Sequence, residues 1–331
     1  MSGDEPGSDS TAETESDPFA RLVAGVTLAD LSAVFGAGLW LVLALAGGLS
    51  QVERALALAP LVVVPLGVGL AARGEFAGLP GRLLGAAVAL LPVGAALMAL
   101  SLVVDAGPTA AGLAAPWVFV TSLLALAGVS RAVERGTIRP LTAALVDAGL
   151  AYAPVAAVAL VLSHLGITFW FDPTIVLLTA VHFHFAGFAL PVLAGVTGRH
   201  LGGFEGGARA VAGVILVGPA IIAVGISFSP LVEVVAVGAF TLAVAAFGLL
   251  VLVRVVPSLD APPAALVGVS ALALPASMAL ALGYGVAAFS GTNPLGLSIG
   301  RMVTLHGSLN AYGFALCGVV GWRLAANVET G

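Results

Sequence analysis

Three histidines lie inside long apolar stretches of this 331-residue chain. His182 and His184 occur in PTIVLLTAVHFHFAGFALPVLAGV, residues 173 to 196, and His306 in SIGRMVTLHGSLNAYGFALCGVVGWRL, residues 298 to 324. Imidazole in hydrocarbon is costly unless it finds partners, so ionisable groups there face a bundle interior or a polar cavity. Such a set can relay protons or bind a solute. It can also ligate haem iron or a transition metal. The plainer account is hydrogen bonding between helices, which polar groups in membranes commonly do. Asn310 stands one turn after His306, at the i, i+4 spacing that lets its amide orient the ring directly or through water. Arg301, in the first turn of the same stretch, either draws in an anion or anchors at the headgroups. The candidate solute or proton-relay set is therefore His182, His184, His306, Asn310 and Arg301, and the metal alternative uses His182, His184 and His306.

The elements that carry these residues follow from composition. Apolar side chains make up 60% of the chain and charged ones only 9%, with a mean hydropathy of +1.13. Soluble domains carry about a quarter charged residues, so the chain reads as an all-α, polytopic bundle in the lipid bilayer. Spans of roughly 20 apolar residues cross a core of about 30 Å. Ten fit: 29–49, 55–72, 83–104, 108–130, 140–163, 173–196, 208–228, 231–253, 263–289 and 298–322. Residues 1–28 read as a disordered acidic tail, residues 29–324 as the membrane domain and 325–331 as a short C-terminal tail. Six of the seventeen acids fall within the first twenty residues, so the formal charge of −5 is no partner signal, and nucleic acid is not an expected partner. A single cysteine, Cys317, excludes an internal disulfide and any cysteine-based metal cluster.

With the N-terminus inside, ten arginines fall on the cytoplasmic side and only Arg54 and Arg301 outside, which sets both termini in the cytoplasm of a cell-membrane protein. Five helices per half would permit an inverted repeat, but no self-similar motif supports one. Helical rise puts His182, His184 and His306 roughly 12–17 Å below the outer surface, so one layer can hold all three if spans six and ten are neighbours. His182 and His184 are about 200° apart on a regular helix and cannot both face one partner without a distortion such as a π-bulge. One is expected to face His306 and the other a second neighbour. Gly187, Gly195, Gly307 and Gly313 are expected to permit close helix approach. Asp147 reads as paired with Arg139 or as part of a polar path near Tyr152, and Glu233 as favouring a helix N-terminus. Phe169, Trp170 and Phe171 read as an interfacial anchor. The glycine-rich TGRHLGGFEGGAR lacks a preceding strand and a GK pair, so it reads as an ordinary loop.

TAVHFHFAGFALPVLAG, residues 179 to 195, and LHGSLNAYGFALCG, residues 305 to 318, make the chain resemble the YndJ-like family of bacterial and archaeal membrane proteins. His182, His184, Gly187, His306, Asn310 and Gly313 match its pattern. The resemblance implies a multi-pass membrane protein; the transporter label attached to the family is itself an inference. A weaker similarity runs toward multi-helix haem–copper proteins, but three membrane histidines are too few for their ligands. No nucleophile, base and orienting carboxylate are presented together; Ser308 beside His306 is not enough for hydrolase chemistry. The expectation is a protein that moves or senses a small solute, with a haem or metal redox protein as the alternative and an assembly partner as a third reading.

Overall fold

The computed structural model describes residues 27–73 and 76–328. All but two residues of the expected acidic tail lie outside them. Among the described residues there are no strands, and ten helices are long and apolar enough to cross a membrane. In chain order these are α1 (Leu28–Leu45), α2 (Gln51–Ala71), α3 (Gly78–Ser101), α4 (Pro108–Arg135) and α5 (Leu141–His164). They continue with α6 (Pro173–His200), α7 (Gly206–Phe228), α8 (Pro230–Ser258), α9 (Ala261–Ala287) and α10 (Ile299–Ala326). The protein is thus the ten-helix bundle its composition demands. The expected sixth span stops short of its helix by four residues, because Thr197 to His200 continue the helix although they are polar.

Local signals start these helices. Thr27 and Ser50 form capping boxes with Asp30 and Glu53, which satisfy donors that the first turn leaves open. Asp172 caps α6 by accepting from the Thr174 backbone N–H at 2.8 Å, and that bond holds its carboxyl below the usual carboxylate range. Phe169 and Trp170 stand exposed just before this cap.

Helix α2 is the most enclosed of the ten and contacts α1, α3, α6 and α10. Its Gly67 leaves room for the buried Phe188 ring of α6; a Cβ there would lie 2.7 Å from that ring. Helices α5 and α6 meet at Gly195, where a Cβ would come within 2.7 Å of the Thr142 carbonyl. Gly307 does not serve this purpose: the nearest atom to a Cβ there is the Met302 carbonyl of its own helix, at 3.9 Å.

At one end of the bundle Asp30 pairs with Arg323, joining α1 to α10. Asp147 is buried at the same end, but its partners are not Arg139. Arg131 Nε donates to it at 2.6 Å, and Arg135 Nη2 lies 2.8 Å from its other oxygen, off the hydrogen-bonding direction, as a coulombic contact. Arg131 and Arg135 are one turn apart on α4, which packs along α5, whereas Arg139 precedes the α5 N-terminus. The geometry of adjacent helices therefore overrode proximity in sequence.

Candidate functional site

Three helices, α2, α6 and α10, leave regular α-helical winding. Each contains π-helical turns: residues Ala59–Val63 in α2, Phe183–Ala189 in α6, and Val303–Gly307 and Leu309–Leu316 in α10. Among the described residues π-helical turns occur nowhere else. Such turns are rare and frequently accompany functional sites, because the wider winding re-aims side chains.

His182 ends the regular first part of α6, immediately before its π-helical turns. Its Nδ1 lies 2.7 Å from the Leu178 carbonyl oxygen. A carbonyl only accepts, so Nδ1 carries the hydrogen, and Nε2 of the neutral ring keeps a lone pair. The residue is exposed although it lies nine positions, about 14 Å, into the helix.

His306 is held in the same tautomer from α9. Its Nδ1 lies 3.1 Å from the Ser277 carbonyl and 2.9 Å from the Ser277 hydroxyl, so again Nδ1–H donates and Nε2 is left to accept. Asn310 acts through Ser277: its amide donates to the Ser277 hydroxyl and, at 2.8 Å, to the backbone carbonyl of His306. Ser277 is fully buried, so this network is shielded from competing water. The His182 and His306 rings face each other across α6 and α10, with centroids 6.5 Å apart and planes inclined by 37°.

His184 goes elsewhere. It is inaccessible to solvent and stacks at 22° on Trp117 of α4, whose Nε1–H donates to His184 Nε2 at 3.1 Å. Its Nδ1 donates to the Ala180 carbonyl at 2.8 Å. Both ring nitrogens are used, so this neutral imidazole has no lone pair left for an ion or solute. Arg301 also turns away: its Nη1 donates to the Gly296 carbonyl at 3.0 Å in the preceding loop.

Residues from α2 complete the layer. Gln51 accepts from the Thr304 hydroxyl at 2.9 Å, tying α2 to α10 where both side chains are exposed. Trp40 of α1 donates to the Arg54 carbonyl at 2.8 Å and its ring lies 6.0 Å from that of Tyr312. A common reference level fixes the heights. At the other end Arg199 donates to the Leu70 carbonyl at 2.8 Å, and a Cβ on Gly69 would lie 3.6 Å from the Arg323 guanidinium carbon. Counting back from Leu70, Arg199 and Arg323 along three parallel helices, Arg54, His182 and His306 are each sixteen or seventeen residues away, about 24 Å. They occupy one layer. Ser277, Gln51, Thr304 and Arg54 were not legible as members of it, since serine or threonine in an apolar run and polar residues at a helix end are ordinary features.

This arrangement is an open, polar recess with two inward-facing imidazole acceptors. Its donor set is short for a metal. His184 is spent on Trp117, Cys317 is on a later turn of α10, and no group of three or more His, Cys, Asp or Glu is placed to hold an ion among the described residues.

Similarity to known proteins agrees with the family resemblance drawn from the sequence. Over 154 residues the chain is 32% identical to the uncharacterized membrane protein YndJ of Bacillus subtilis (strain 168), a match covering 46% of this chain and 28% of that protein. The chain therefore matches well under a third of that relative's length. No solved structure matches. The family model described as YndJ-like protein matches residues 54–314, from the arginine of the polar layer to just past its asparagine, and the chain belongs to the YndJ-like family.

Proposed function

We propose that this multi-pass membrane protein moves or senses a small solute that binds in the recess between α2, α6 and α10. The supporting observation is the pair His182 and His306: both rings are locked by backbone carbonyls in one tautomer, and both leave Nε2 unshared beside an exposed layer. A purely structural histidine uses both nitrogens, as His184 does. Leaving such ready acceptors at bilayer depth without a partner costs stability, whereas a solute that hydrogen-bonds them recovers that cost. The test is uptake or binding by the protein in vesicles. His182→Ala and His306→Ala should abolish the response while leaving insertion and thermal stability near wild type; unchanged responses would sink the reading.

The second reading, a haem or metal redox protein, draws on the same geometry. A carbonyl on Nδ1 is the usual outer partner of a metal-ligating histidine. Against it stands the missing third ligand and the positive Arg54 in the same layer. A visible spectrum and elemental analysis of the purified protein discriminate: a Soret band or one equivalent of metal, lost in both histidine variants, would favour it over the solute.

A further inference from the structure

The charge of the layer names the class of solute, given that the recess binds one. Among the described residues Arg54 is the only cation placed in it, and Arg54 forms no ion pair among them. Its Nε is sealed from solvent and hydrogen-bonds to nothing among the described residues. The ion pairs among those residues join Arg131 and Arg135 to Asp147 and Arg323 to Asp30, all at the other end. The neighbouring carboxylate, Glu53, turns back to accept from the Ser50 backbone N–H at 2.7 Å and so caps its own helix. Headgroup anchoring is the ordinary role for arginine one turn inside a helix end. Here that account is incomplete, because an anchoring arginine offers its whole fork to headgroups or water. Arg54 instead keeps its Nε sealed inside the bundle, beside a backbone carbonyl that accepts from Trp40 of α1. A donor sealed from water without a partner costs stability, and an anion that accepts from it recovers that cost.

We infer that Arg54 is the charge-binding residue of a site for a small oxyanion, one that also offers a hydroxyl or acidic hydrogen to the His182 and His306 Nε2 atoms. A guanidinium fork matches carboxylate or phosphate oxygens through two parallel hydrogen bonds. The imidazole acceptors then take the solute's O–H, with Gln51 and Thr304 at the rim. This chemistry fits hydrogen phosphate, a hydroxy acid or a lipid headgroup that carries hydroxyls beside its phosphate, as phosphatidylglycerol does, and it disfavours a cation.

Thermal stabilisation of the full chain at constant ionic strength tests this, first in nanodiscs of neutral lipid with four probes: inorganic phosphate, lactate, glycerol and choline. Phosphate or lactate should stabilise the wild type. Arg54→Gln should weaken that binding at least tenfold, and Arg54→Lys should retain more of it, which separates charge loss from misfolding. Arg254→Gln, an exposed change at the other end, should shift it less than twofold. If glycerol or choline stabilises instead, dependent on His182, a solute site exists but the anion assignment is overturned. If neither free anion acts but phosphatidylglycerol nanodiscs stabilise in an Arg54-dependent manner, the anion site stands with lipid as its source, and the solute function falls. No Arg54-dependent effect of any probe overturns the proposal.

Discussion

Two histidines separated by one residue perform different work, and the partner of each ring decides which. Trp117→Phe removes the indole donor to His184 Nε2 and leaves a buried acceptor unsatisfied, which should cost roughly 1–3 kcal/mol. Thermal unfolding should register that loss while solute affinity stays within twofold of wild type. Ser277→Ala should do the reverse. It deletes the hydroxyl that receives Asn310 and braces His306, at a position whose backbone carbonyl still holds the ring. Solute affinity should fall several-fold with a small change in stability, and Ser277→Thr should restore part of it. Sequence alone carries the 200° argument that parts His182 from His184. It does not carry the identity of Trp117 or Ser277 as partners, because contacts 67 and 29 residues apart depend on which helices are neighbours.

At the scale of the helix, the π-helical turns set the aim of the layer. The π-helical turns Phe183–Ala189 in α6 begin directly after His182, which faces α10, and near their end carry Phe188, which packs into the space above Gly67. Deleting Ala186, a half-buried residue inside these turns, should convert them to regular helix and rotate one part against the other by about 100°. Either the Phe188 contact or the His182–His306 pair is then lost. Because packing of α5 and α6 through Gly195 anchors the longer part, the pair should give way: the protein inserts, but binding is abolished. Normal binding by the deletion variant would show that the turns have no aiming role. Hydropathy made the number and length of the helices legible, since the bilayer imposes both. It could not register the π-helical turns, which change azimuth without changing composition. Nor could it register Arg54, whose position one turn inside α2 looks the same whether or not its Nε finds a partner.

Across the whole molecule, charge is divided between the two ends. Arg73, Arg82, Arg131, Arg135, Arg139, Arg199, Arg209, Arg254 and Arg323 lie at the end where Asp30 pairs with Arg323, and Arg54 and Arg301 at the other. Part of that excess is structural. Asp30→Asn should cost about 3–5 kcal/mol by leaving the Arg323 charge buried and unpaired, and Arg323→Met added to it should recover much of the loss. Thermal unfolding of the single and double variants checks this. The remainder of the excess lies on short connections and at the helix ends beside them, where arginine governs which side is retained. We infer that the arginine-rich end faces the cytoplasm and that the recess of His182, His306 and Arg54 opens outward. With Cys317→Ser as background, Thr168→Cys in the α5–α6 connection should react with a membrane-impermeant thiol reagent on intact cells. Gly202→Cys, between α6 and α7, should react only after permeabilisation. The opposite pattern would turn the recess toward the cytoplasm, and a solute taken from inside the cell would then be the one to seek.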